Sequence, residues 1–307
     1  MHVDLYIALA GLIVGFAVGL TGMGGGALMT PILVLIFGIQ PLAAVSSDLV
    51  ASLVMKPVGA AVHAGRGTIQ WRLAAWLAMA SVPAAFLGVV AVHSLTGASR
   101  VQAVISVALG SVLLLAVAAL LLKMALDHRR PAAPGDDTLH VKRLPTLAIG
   151  ASIGFIVGIT SVGSGTLVIV LLLFLYPRLR GSHMVGTDLA QAIPMVGSAA
   201  LAHILFGDFV FGLTFSILLG SIPGVLLGAA VSSYAPTAFL RGALAAVLLV
   251  SGLKLVTVPT LAIGIVLLAA VVVLLATWLG IRASGRTLRE ISGEAASHTP
   301  APSLSTP

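Results

Sequence analysis

The sequence predicts an all-α polytopic membrane protein: two inverted repeats of one helical unit, with about seven to nine transmembrane helices of the usual ~20-residue length. Three observations carry this. Hydrophobic residues make up 59% of the 307 and charged residues only 8%. A soluble domain carries about a quarter charged residues, so too few charges remain here to cover a water-facing surface. Several apolar stretches are long enough to cross a bilayer. The second half also repeats the first, down to the placement of Asp, His and Pro.

In chain order, the apolar segments run over 5–20, 27–39, 43–64, 73–93 and 101–124. The second half supplies 145–160, 165–177, 185–205, 210–232 and 238–256. One more apolar segment follows at 259–281. The N-terminal run MHVDLYIALA lacks the basic start of a cleaved signal peptide, so the first segment is expected to be retained. Residues 1–124 read as the first membrane repeat and 125–144, charged and Pro-bearing, as the linker. Residues 145–256 read as the second repeat and 257–281 as an additional transmembrane helix. The polar stretch 282–307 has the composition of a disordered tail.

The repeat is explicit. Gly15 to Gly26 reads GFAVGLTGMGGG and Gly154 to Gly165 reads GFIVGITSVGSG, with seven of twelve positions identical. Further on, Asp48 matches Asp188, Met55 matches Met195, His63 matches His203 and Gly67 matches Gly207. Ser81, Pro83 and Gly88 match Ser221, Pro223 and Gly228. Apolar composition alone would align Leu and Ala, but not Asp, His and Pro in order. Internal repeats are a frequent plan of secondary transporters.

Basic loops orient the copies. The linker carries Arg129, Arg130, Lys142 and Arg143, and the tail carries Arg282, Arg286 and Arg289. Both are therefore expected in the cytoplasm. Counting outward, the 65–72 loop with Arg66 and Arg72 falls inside, and its counterpart 206–209 with Asp208 falls outside. Equivalent loops exchange sides, which implies inversion. The count works only if each glycine-broken unit crosses zero or two times, and Arg100 falls outside against the trend.

Those units lie between short apolar segments. The first break is Thr21-Gly22-Met23-Gly24-Gly25-Gly26 and the second Thr160-Ser161-Val162-Gly163-Ser164-Gly165. Each glycine costs a helix about 1 kcal/mol, so a cluster ends it. In lipid, freed backbone is tolerated only where protein buries it or where it lines a cavity. The break therefore reads as a re-entrant or half-helix element. The helix restarting after it presents unpaired N–H groups and partial positive charge, which suits an anion. By contrast, Gly11, Gly15, Gly19 and Gly150, Gly154, Gly158 have the spacing of ordinary close helix packing.

The run G-x-x-x-G-x-T-G-x-G-G-G, then Pro31 and A-x-x-S-S-D, resembles the TauE/SafE family of sulfite exporters, with the second copy equally typical. The resemblance covers about 5–256. It implies a multi-pass bacterial inner-membrane permease for small, often sulfur-containing anions such as sulfite, sulfonates or thiosulfate. Proton-motive coupling is the usual assumption for the family. Gly22, Gly24, Gly25, Gly26, Pro31, Gly163 and Gly165 match its motif, while Gly25 corresponds to Ser164.

Polar residues inside apolar segments complete the candidate site. Asp48 and Asp188 occupy equivalent positions, and ionisable residues at membrane depth are functional by default. They read either as proton carriers or as N-caps of their own helices. Lys56 has Val196 as its counterpart and is a candidate anion ligand or the partner of an Asp. Gln191, near Asp188, is a candidate donor to a substrate oxygen, whereas His63 and His203 sit near segment ends and read as structural.

The leading reading is thus an anion permease in the bilayer, not an enzyme. The alternatives are an intramembrane aspartyl-type enzyme using Asp48 and Asp188, or a passive anion channel. The net charge of +7 resides in loops and tail, so nucleic acid is not an expected partner. There is no Cys, which excludes disulfides, thiolate metal sites and thiol nucleophiles. No HExxH or Walker A sequence occurs. No cofactor or metal is implied.

Overall fold

The computed structural model describes residues 4–21, 25–95, 97–127, 141–231 and 237–256. All its elements are helices: α1 (Leu5–Thr21), α2 (Gly26–Leu35), α3 (Pro41–Gly65), α4 (Trp71–His93), α5 (Ala98–Asp127), α6 (Arg143–Thr160), α7 (Thr166–Leu175), α8 (Gly181–Phe206), α9 (Phe211–Val231) and α10 (Thr237–Leu255). Six of them (α3, α4, α5, α6, α8 and α9) are long and apolar enough to cross a membrane. The segment expected at 257–281, the tail at 282–307, most of the linker, and Gly22 and Gly24 lie outside the described residues.

The apolar segments read from sequence become these helices with small changes of boundary. One of the larger is in α2, which stops at Leu35 although apolar residues continue to Ile39. Gly38 there adopts φ +66°, a left-handed turn that a helix does not contain, and Pro41 starts α3 at its first position.

Contacts fix the direction of each helix. The Ser46 hydroxyl near the start of α3 donates to the Asp208 carbonyl just past the end of α8, at 2.9 Å. At the other end, the N–H of Gln70 donates to Thr187 Oγ1 near the start of α8, at 3.0 Å. Helices α3 and α8 are therefore antiparallel. Helix α4 runs with α8, since Ser81 bonds Gln191 and His93 bonds Asp208. Helix α6 runs with α4, because Gly150, Gly154 and Gly158 face Leu77, Ser81 and Ala85 in step. Helix α1 runs with α9 in the same way, with Gly11 and Gly15 facing Ile217 and Ser221. Each helix of the first repeat thus opposes its counterpart: α1 against α6, α3 against α8, α4 against α9. A two-fold axis along the membrane normal would keep such pairs parallel, so the repeats are inverted.

The two long parallel pairs, α1 with α9 and α4 with α6, each join helices from different repeats. Glycines permit their close approach. A Cβ at Gly15 would sit 2.5 Å from the Ser221 carbonyl, and one at Gly150 2.5 Å from that of Leu77. The packing glycines recognised in the sequence at 11, 15, 150, 154 and 158 hold these contacts. The outer surface is apolar, with Leu9, Ile13, Phe215, Leu219 and Leu226 exposed. So much exposed apolar surface suits lipid rather than water.

Because α1 and α3 run the same way, the chain between them returns through α2. Asp4, just before α1, and Ile7 of α1 line a common cavity with Gly38, Ile39 and Gln40 beyond α2. Helices α1 and α2 therefore form a hairpin that enters and leaves on one face, the face carrying Asp208. Helices α6 and α7 form the second hairpin, which opens on the opposite face, the face carrying Arg66. Its mouth is tied where Tyr176 Oη, past the end of α7, meets Thr146 Oγ1 at 2.6 Å and accepts from the Lys142 N–H at 2.9 Å. Arg143 stacks over Trp76 on that face, with 5.3 Å from Cζ to the ring centre.

Candidate functional site

The two hairpins meet tip against tip inside the protein. Gly26, the first residue of α2, lies so close to Ser161 at the other tip that an added Cβ would overlap the Ser161 carbonyl. The same Cβ would stand 2.9 Å from Asp48 Oδ2. Only glycine fits where two chain breaks and a carboxylate converge.

The second break, 161–165, is fully buried and runs along a row of ionisable side chains. At one end Ser161 Oγ donates to Asp48 Oδ2 at 2.6 Å. In the middle Lys56 Nζ donates to Ser164 Oγ at 2.9 Å. At the other end the Gly165 backbone faces the Asp188 carboxyl. The break takes this course because three of its residues have positive φ: Ser161 at 59°, Gly163 at 122° and Gly165 at 106°. Thr160 shapes the start of the turn. Its hydroxyl is shared between the Ile156 and Val162 carbonyls, at 2.8 and 3.1 Å, and accepts from the Val162 N–H at 3.2 Å.

Asp48, Lys56 and Asp188 are all buried, at 2, 6 and 3% exposure. A buried charge is tolerated only when paired and hydrogen-bonded. Asp48 also accepts from Thr30 Oγ1 of α2 at 3.1 Å. Asp188 Oδ1 accepts from Gln191 Nε2 at 3.1 Å, and Gln191 Oε1 accepts from Ser81 Oγ at 3.1 Å. Lys56 interacts electrostatically with both carboxylates.

The N-cap reading of the two aspartates is corrected in one respect. Asp48 is the eighth residue of α3, counted from Pro41, and Asp188 the eighth of α8, counted from Gly181, so neither caps its own helix. Each instead faces the start of the half-helix in its own repeat: Asp48 at Gly26 of α2, Asp188 at Gly165 before α7. The helix N-termini expected to attract an anion already face the protein's own carboxylates.

Of the other residues singled out by sequence, Gly25 and Gly26 start α2, and Gln191 joins the Asp188 network. Thr21 ends α1. Two members of the site were not singled out, Thr30 and Ser81. Thr30 is the one hydroxyl in the otherwise apolar stretch GALMTPILVL. On the Asp208 face a cavity of about 630 Å³ opens between the starts of α1, α3 and α9, lined by Asp4, Ile7, Gln40, Val210 and Ser216 among others.

A half-helix pair around buried carboxylates and a lone lysine is an arrangement for moving a charged solute. The sequence agrees with that of a known group: residues 7–255 match the family described as Sulfite exporter TauE/SafE. The chain belongs to the TauE/SafE family. Within it, the protein is 40% identical over 252 residues to the probable membrane transporter protein YjnA of Bacillus subtilis (strain 168), covering 81% of this chain and 98% of that one. It is 28% identical over 221 residues to a probable membrane transporter protein of Xylella fastidiosa (strain Temecula1), covering 71% and 81%. No solved structure matches significantly. This TauE/SafE member is a multi-pass membrane transporter and not an enzyme. That disposes of the aspartyl-enzyme alternative, which would need the two carboxylates to share a proton. Here Asp48 bonds Thr30 and Ser161, while Asp188 bonds Gln191.

Proposed function

We propose that the protein is a proton-coupled permease for a small sulfur-containing oxyanion of the sulfite, sulfonate or thiosulfate class. It resides in the bacterial inner membrane with the Arg66 face in the cytoplasm. The observation that carries this reading is the row Asp48–Lys56–Asp188 laid along the break 161–165. With all three ionised, the row holds two negative charges and one positive, and an entering anion is repelled. With both carboxyls protonated, Lys56 is left as the single charge. The N–H groups at the starts of α2 and α7 are then released from the carboxylates that face them. A tetrahedral or pyramidal oxyanion can take their place, held by Lys56 Nζ and by the Ser161 and Ser164 hydroxyls. Gly25 and Gly26 let the backbone approach it. Loss of the protons returns the carboxylates and expels the anion, so protons and anion travel together.

The orientation rests on charge. Arg66, Arg72, Lys142, Arg143, Arg178 and Arg180 lie at one face, and Asp4 and Asp208 at the other with Arg100. Cytoplasmic loops carry the excess of Lys and Arg. The domain reading is likewise a proposal: 1–124 and 145–256 as the repeats, 125–144 as a cytoplasmic linker, 257–281 as a further transmembrane helix and 282–307 as a cytoplasmic tail.

Purified protein in liposomes tests the function. Labelled sulfite, thiosulfate or an organosulfonate is expected to accumulate down an imposed proton gradient. Failure to move any anion of this panel would overturn the substrate class. Movement that ignores the pH gradient would instead support passive conduction, the channel alternative.

A further inference from the structure

Away from the central row, three residues converge on the Asp208 face. His93 ends α4, His203 lies near the end of α8, and Asp208 stands in the turn before α9. His93 Nε2 is 2.6 Å from Asp208 Oδ2, and His203 Nδ1 is 3.0 Å from the same oxygen. The three ligand atoms lie within 4.8 Å of one another.

The second nitrogen of His203 decides what the cluster can hold. Nε2 is 3.1 Å from the Gly158 carbonyl, which can only accept, so Nε2 carries a hydrogen. A neutral ring then offers only a lone pair at Nδ1, and Asp208 Oδ2 offers lone pairs too. Two lone pairs do not attract, so a positive charge belongs between them. An imidazole that donates one N–H to a backbone carbonyl and points its free nitrogen at a carboxylate has the second-sphere arrangement of a metal-ligating histidine. His203 is 1% exposed, so its ring is fixed, while His93 stacks on Phe206 at 4.2 Å between ring centres.

We propose that His93, His203 and Asp208 form a binding site for a divalent transition-metal ion of the zinc class. Two imidazoles and one carboxylate are a standard three-ligand set for zinc, with a fourth position left to water. Zinc needs ligands at about 2.0–2.2 Å, which puts them roughly 3.3 Å apart in a tetrahedron. The His93–Asp208 pair, now at 2.6 Å, has to open by under about 1 Å while the two imidazoles, within 4.8 Å, draw together around the ion; the His93 ring sits at a helix end beside an exposed turn. The ion joins the ends of α4 and α8. Through the Gly158 carbonyl it also braces the last turn of α6, three residues before Ser161. Sequence reading found no metal here because 115 positions separate His93 from Asp208.

The test uses tag-free full-length protein in detergent, titrated with Zn²⁺ by calorimetry and analysed for bound metal after dialysis. One zinc per chain is expected, with an absorption-edge spectrum showing two imidazoles. His93→Ala and Asp208→Asn each weaken binding at least tenfold, the scale on which even second-sphere changes act. His93 is partly exposed, so its replacement leaves the fold in place, and melting temperature without zinc checks this. Substoichiometric zinc in the wild type, or equal affinity in both variants, overturns the site and leaves a proton as the bridging charge.

Discussion

Replacing Lys56 by Met is the sharpest test of the central row. Met keeps the length and apolar stem of the side chain and deletes the ammonium that donates to Ser164 at 2.9 Å. Val196 at the equivalent place in the other repeat offers no substitute. A hydrogen bond to a charged group contributes about 1.5–3 kcal/mol. If the ammonium makes one such contact to the anion, its loss weakens binding about 10- to 150-fold at 1.4 kcal/mol per decade. The substrate concentration for half-maximal uptake in proteoliposomes should rise by that factor. Stability is a separate matter, because removing one partner of a buried charge pair costs about 3–5 kcal/mol. Lys56→Met combined with Asp188→Asn removes one of the two carboxylates left without their cation as well. The double variant should melt closer to wild type than Lys56→Met and still fail to transport. Unchanged half-saturation in a folded Lys56→Met protein, or recovery of transport in the double variant, would refute the role given to Lys56.

Asp48→Asn and Asp188→Asn should each abolish the response of uptake to an imposed pH gradient while the protein remains monodisperse. Gradient-driven uptake surviving in both would remove the carboxylates from proton coupling. Gly150→Leu drives a side chain into the Leu77 carbonyl across the α4–α6 contact and should destabilise by at least the roughly 1–3 kcal/mol typical of overpacking. Gly65→Ala, with open space around it, should leave the melting temperature unchanged or raise it. The chain has no native cysteine, so single-cysteine labelling reads orientation directly. A membrane-impermeant maleimide should modify Val210→Cys in intact cells and Arg66→Cys only after lysis. Both labelled from the same side would contradict the inversion.

Much of the fold could be read from the chain because lipid makes the demands simple. Uninterrupted apolar length marks α3, α4, α5 and α8, and matched Asp, His and Pro positions mark the duplication. Even the requirement that each broken unit cross zero or two times holds, since α1 and α2 enter and leave on one face. The limits of α2 were hidden because Ile36 and Ile39 are as apolar as the helix before them, and Gly38 ends it by conformation alone. The candidate site was legible as a set of residues but not as a set of contacts. Ser161 and Ser164 read as members of the second break facing an anion, but nothing local says that their hydroxyls reach Asp48 and Lys56. Those pairings span 113 and 108 positions and depend on the two hairpins meeting, which no local pattern encodes. Thr30 was passed over because a single threonine among Leu, Met and Ile has no periodicity.

The exchange of partners between repeats has a consequence for ancestry. Helix α1 packs on α9 and α6 on α4, so neither half closes its own longest helix pair. A single ancestral unit inserted into the membrane in both orientations, and paired with its own upside-down copy, would already form both contacts. What such a homodimer cannot have is any residue present once. Lys56, with Val196 at the equivalent place in the other repeat, is such a residue. The lone cation of the central row became available only once the two copies were free to diverge.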